Sequence, residues 1–94
     1  MTNILEDTII NIISNSKLYL QIAMYIYHDN GYYLNCYSRK QANQMLAEKF
    51  NCSVSDLQFF WKHGLIRVHF LGGVFPTEKG FLLFAKIKEK EATL

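Results

Sequence analysis

Ser55, Gln58, Phe59 and Lys62 fall on one side of a short helical segment at about 100° per residue. Each offers chemistry toward a flat, polar surface. Ser and Gln hydrogen-bond to base edges, Lys reaches guanine or phosphate, and a Phe ring can meet a thymine methyl. Ser53 stands at the start of the same segment. Arg39 and Lys40 open the preceding helical segment, and Arg67 and His69 alternate outward on a strand that follows. Such side chains suit phosphate oxygens. The plainer alternatives are a solvated set of charges and, for Phe59, a contact with another protein.

Other chemistries lack their residues. His28, His63, His69, Cys36 and Cys52 show no zinc-ligand spacing, and Cys36 and Cys52 form no C-x-x-C. Nothing marks an activated thiol beside a histidine. There are no paired carboxylates in a polar context, and no glycine-rich phosphate loop, since Gly72-Gly73 is taken up by a hairpin. The expectation is therefore no enzyme, no metal and no cofactor. The aromatics at 19, 25, 27, 32, 33 and 37 are expected to fill core and interface, with a small-molecule pocket as the alternative.

The elements that must position these residues read as follows. Segment 3–14 repeats Leu5, Ile9, Ile12 and Ile13 at helical spacing. Segment 17–28 is apolar almost all round, which requires protein on every side. The intervening "SNS" supplies N-caps, and Gly31 suits the left-handed position after the second helix. Segment 32–37, "YYLNCY", reads as a brief strand. Ser38 and Gln41 form a capping-box pattern ahead of a helix to Phe50, with Ala42, Met45, Leu46 and Phe50 inward. After the turn "NCS", Ser53 and Asp56 repeat the pattern ahead of a helix from Val54 to His63, with Val54, Leu57, Phe60 and Trp61 inward. Gly64 ends it. Ile66, Val68 and Phe70 then alternate with Arg67, His69 and Leu71, and Gly72-Gly73 reads as a two-residue hairpin loop that sets Phe70 opposite Phe75. Pro76 stops the return strand, and Thr77 caps a last helix to about residue 92.

The expected fold is mainly α with a small β-hairpin, in the order α-α-β-α-α-β-β-α. Two short helices joined by a three-residue turn make a helix-turn-helix, and a hairpin directly after them makes a wing. "LAEKFNCSVSDLQFFWKHGLI" followed by "VFPTEKG" resembles the winged helix-turn-helix regulators of the MarR, ArsR and PadR type. The matching points are Leu46-Ala47, Gly64-Leu65-Ile66 and Thr77-Glu78-Lys79-Gly80, and the likeness covers roughly residues 38–84. In size the chain is similar to the small winged-helix proteins of archaeal viruses and plasmids. Where many relatives carry Arg or Lys, the wing tip here reads Leu71-Gly72-Gly73-Val74. Pro76 stands where Leu is usual, and the second helix is about a turn shorter than in the family. The expected organisation is one domain over 1–94, with the helix-turn-helix at 38–63, the wing at 65–76 and flanking helices 3–14 and 77–92. Apolar surface on two faces of "FLLFAKI" and the stripe Leu5, Ile9, Ile12 and Ile13 lead to the expectation of a homodimer built from the flanking helices, through Leu5, Ile9, Ile12, Ile13, Leu82, Leu83 and Ile87.

Length and composition bound the rest. The chain has 94 residues, one domain's worth, and half are hydrophobic, which is too apolar for a disordered chain and points to a buried subunit interface. Residues 1–37 carry one Lys and three acids, while residues 38–94 carry nine Lys/Arg and five acids. The basic excess thus lies in the half that holds the helix pair, which favours a polyanionic partner. No secretory leader and no membrane span is read, so a cytoplasmic protein is expected, in the host cytoplasm if the source is viral. Richness in Ile, Asn, Lys and Tyr suits an AT-rich genome. The expected function is sequence-specific binding of double-stranded DNA as a homodimer that regulates transcription. The alternatives are a winged-helix module that binds protein and an effector- or metal-responsive repressor.

Overall fold

The computed structural model describes residues 4–29 and 36–92. These form five helices and two strands: α1 (Ile4–Ser14), α2 (Lys17–Asp29), α3 (Arg39–Phe50), α4 (Val54–Lys62), β1 (Ile66–Val68), β2 (Val74–Pro76) and α5 (Glu78–Ala92). The fold is mainly helical with one small antiparallel hairpin. The expected strand at 32–37 and the left-handed Gly31 lie outside the described residues, except for Cys36 and Tyr37, which are not in a strand.

α2 is the centre. It packs on α1, α3, α5 and β2, which accounts for a helix that is apolar nearly all round. Ile22, Ala23 and Ile26 are fully buried, and Ser16 caps the helix by accepting from the Tyr19 amide at 3.1 Å. The core runs on through Ile9 and Ile13 of α1, Ala42 and Leu46 of α3, Leu57 and Phe60 of α4, Leu65, Ile66 and Val74 of the hairpin, and Leu83, Phe84 and Ile87 of α5.

α1 and α5 pack against each other within the chain, joined also by an exposed Lys86–Glu6 pair at 3.6 Å. The seven residues expected at a dimer contact therefore fall on two different sides of these helices. Ile9, Ile13, Leu83 and Ile87 are spent in the chain's own core, while Leu5, Ile12 and Leu82 remain exposed, as does Phe81.

The helix pair is tightly specified. Ser53 and Asp56 form a reciprocal capping box, with Ser53 Oγ accepting from the Asp56 amide and Asp56 Oδ2 accepting from the Ser53 amide at 3.0 Å. At α3 the box is only half made. Ser38 Oγ accepts from the Gln41 amide at 3.1 Å, but Gln41 Oε1 reaches one residue further back, to the Tyr37 amide at 2.8 Å. Both helices end the same way. Asn51 (φ +51°) and Gly64 (φ +64°) take the left-handed conformation. The next amides, Cys52 and Leu65, donate back five residues to Ala47 and Phe60 at 2.9 Å each. This paired closure satisfies carbonyls of each last turn and fixes the direction of each exit.

The hairpin register differs from expectation. The pairs are Ile66↔Pro76, Arg67↔Phe75 and Val68↔Val74. The turn is closed by His69 donating to Gly73 at 2.9 Å and Gly72 donating to His69 at 2.8 Å, so Phe70 and Leu71 form the apex. Phe70 is 82% and Leu71 72% exposed, not core. The cause is Gly73, whose amide donates to the Cys36 carbonyl at 2.8 Å and so sits at the base of the turn. Thr77 then closes the junction. Its amide donates to the Leu65 carbonyl, its hydroxyl to the Gly64 carbonyl, and its oxygen accepts from the Gly80 amide at 3.0 Å to start α5.

Candidate functional site

The first turn of α3 and the outer side of α4 bring exposed polar and basic side chains next to one another, around the exposed Val54. Ser55, Gln58 and Lys62 project from α4 at i, i+3 and i+7, and all three are exposed. Arg39 and Lys40 project beside them from α3 and are also exposed. A cleft of about 440 Å³ opens between the two helices, lined by Arg39, Lys40, Asn43, Gln44 and Val54. Val54, expected inward, is exposed here at the start of α4, because the core contact of that helix begins only at Leu57.

Arg39 is held on two sides. Its Nη2 donates to Gln58 Oε1 at 3.0 Å, and its guanidinium carbon lies 4.9 Å from the centroid of the Trp61 ring. Trp61 is held in turn, its indole N–H donating to Asn43 Oδ1 at 2.6 Å. Asn43 is the only buried polar residue among those described, at 7% exposure. Lys49, at the other end of α3, lies over the Tyr25 ring of α2 at 4.7 Å and is turned away from this surface. On the first turn of α3 and the outer side of α4, the exposed charged side chains are Arg39, Lys40 and Lys62, all basic.

Three of the expected contact residues have other work. Phe59 does not face outward. It is half-buried, stacked on Tyr19 of α2 at 5.0 Å and edge-on to Phe60 and His63. α2 needs protein on every side, and the ring of Phe59 supplies part of it. The Ser53 hydroxyl is engaged inside its own cap, with Ser55 Oγ 2.7 Å away. The ring of His69 is half-buried between Phe70 at 4.6 Å and Phe75 at 4.9 Å, and its Nδ1 accepts from the Leu71 amide at 3.1 Å. It stiffens the hairpin apex. Arg67 is exposed on β1.

Asn43 and Trp61 were missed as members of this surface. The available signal was a polar residue beside Ala42 on the inward stripe of α3, four residues after Arg39. Neither thiol is pushed toward the thiolate form. Burial pushes Cys36 up, against a backbone hydrogen bond from Gly73, and burial followed by the Asp56 charge pushes Cys52 up. A thiol held protonated is a poor nucleophile and a poor metal ligand. Among the described residues no group of three or more His, Cys, Asp or Glu side chains is placed to hold a metal ion, and no helix is long and apolar enough to cross a membrane.

The surface can therefore do two things. Its cations attract polyanions, and its aligned guanidinium, amide and hydroxyl can pair with fixed acceptors. Compared with protein-family models, with curated proteins and with solved structures, the chain matches none.

Proposed function

We propose that the protein binds double-stranded DNA through a winged helix-turn-helix and regulates transcription as a homodimer. On this reading α3, the turn at 51–53 and α4 are the helix-turn-helix, α4 enters the major groove, and β1–β2 is the wing. The observation that carries it is the uncovered outer face of α4, with Ser55, Gln58 and Lys62 in line and Arg39 and Lys40 beside it, free of exposed acids. Hydrogen-bonding side chains flanked by cations on one short helix match the mixed demand of base edges and phosphates.

Binding to random-sequence duplexes, followed by fluorescence anisotropy across a salt series, tests this. If a dimer makes about six phosphate contacts, log K falls against log salt with a slope near −5. Lys40→Ala weakens binding to every sequence and flattens the slope by about 1 for each phosphate no longer neutralised. Duplex binding that is absent, or insensitive to salt, sinks the reading. The exposed Phe70–Leu71 apex favours the second one, a winged helix whose tip meets an apolar surface on another protein. That reading takes over if duplex binding fails.

A further inference from the structure

Arg39 is the most constrained exposed cation of the helix pair, and none of its partners is charged. Gln58 holds one edge of the guanidinium, and the Trp61 ring lies against it. Trp61 is itself pinned by the buried Asn43. The four residues alternate between helices, Asn43 and Arg39 from α3 and Trp61 and Gln58 from α4, so the arrangement exists only when the pair is packed. Among the described residues no carboxylate lies within ion-pair distance of Arg39. One of its five N–H groups is used by Gln58, and the rest of the fork keeps its donors.

A phosphate contact needs only charge on a flexible stem, and Lys40 and Lys62 already supply that. A guanidinium held at one edge by an amide and set against an aromatic ring suits two acceptors in one plane at fixed separation. In duplex DNA that pair is O6 and N7 of guanine, on the major-groove edge. We propose that Arg39, rather than a residue of α4 itself, reads a guanine in each half-site, with Trp61 and Asn43 as its positioning residues. The inference rests on the DNA-binding reading and adds the base that is read and the residue that reads it. Gln58 Oε1 then serves Arg39, and its amide N–H groups are left to donate to a neighbouring acceptor.

The test starts from wild-type protein and duplexes selected from a randomised pool. One guanine per half-site should be enriched, and replacing it by 7-deazaguanine, which removes only the N7 acceptor, should weaken binding by about 10-fold. Arg39→Lys keeps the charge and removes the fork, so it should keep the salt slope while abolishing both the guanine preference and the 7-deaza effect. Trp61→Leu should lower the guanine preference more than it lowers affinity for unrelated duplexes. A role confined to packing would reduce binding to all sequences alike. No enriched guanine, or no 7-deaza effect in the wild type, overturns the proposal without needing any variant. A guanine preference that survives Arg39→Lys also overturns it, and so does a uniform loss with a flatter slope in Arg39→Ala, which marks a phosphate contact. Each of these leaves the DNA-binding reading intact. Wild-type protein that shows no salt-dependent duplex binding overturns both.

Discussion

Gly64 and Gly80 show two different reasons for a residue without a side chain. Gly64 has φ +64°, and a Cβ there would meet nothing within 4 Å. Its constraint is the backbone alone, so Gly64→Ala should cost about 1 kcal/mol, and Gly64→Asn less, since Asn tolerates the left-handed region. Gly80 is helical, but a Cβ there would fall inside the Leu65 carbonyl, where α5 crosses the start of the hairpin. Gly80→Ala should cost more, about 1–3 kcal/mol, because backbone must move against backbone. Urea denaturation of the three variants checks the order. A harmless Gly80→Ala would mean that α5 does not press on Leu65. The first glycine was legible in the sequence, because it follows a helical pattern and precedes an alternating one. The crowding at the second depends on a segment 15 positions earlier that periodicity does not bring near. The same limit hid the Arg39–Trp61–Asn43 set, which needs the crossing of two helices to exist.

At the scale of elements, local chemistry fixed the helices and left the hairpin open. Both N-caps, the helix end at Gly64 and the turn at 51–53 follow from residues within five positions of one another and could be read from sequence, whereas the left-handed exit at Asn51 was not. Alternation in "IRVHFL" assigns faces but not register, because Gly72-Gly73 can occupy the apex or the base of a turn. The deciding contact, Gly73 to Cys36, comes from a part of the chain outside the hairpin. Phe59 was misjudged for a related reason: a helical wheel gives the angle of a side chain, and α2 decides which angles are covered. The register makes a sharp expectation. Phe70→Ser and Leu71→Ser, at the exposed apex, should each shift stability by no more than about 0.5 kcal/mol. Val74→Ala, fully buried, should cost more than about 1 kcal/mol. If Phe70→Ser proves the costlier change, Phe70 belongs to the core and the register set by a Gly72-Gly73 apex is the right one.

For the molecule as a whole, the affinity and salt dependence of the proposed DNA binding depend on assembly. The chain measures 36 × 25 × 23 Å, close to one turn of duplex, ~34 Å, along its longest axis. A two-fold pair can therefore set its α4 helices in successive major grooves only if the contact between copies lies away from the α3–α4 surface. The α1–α5 side meets that condition, since its exposed apolar residues Leu5, Ile12 and Leu82 belong to elements outside the helix pair. With Ile9, Ile13, Leu83 and Ile87 consumed by the core, a dimer contact on this side would keep three of the seven residues expected there, Leu5, Ile12 and Leu82. It must still bury more than about 1,000 Å² to persist. Charges placed on the exposed residues separate assembly from folding. Ile12→Lys and Leu82→Lys should leave the urea midpoint nearly unchanged and yield monomers by light scattering at micromolar concentration, whereas Ile9→Lys should unfold the chain, because an unpaired charge would enter the core. A monomer makes half the phosphate contacts, so its salt slope should fall from near −5 to roughly half that value, and the guanine preference should persist at lower affinity. Wild-type protein that is already monomeric removes the dimer. Variants that stay dimeric move the contact to another face, and a monomeric variant with an undiminished slope breaks the link between assembly and DNA.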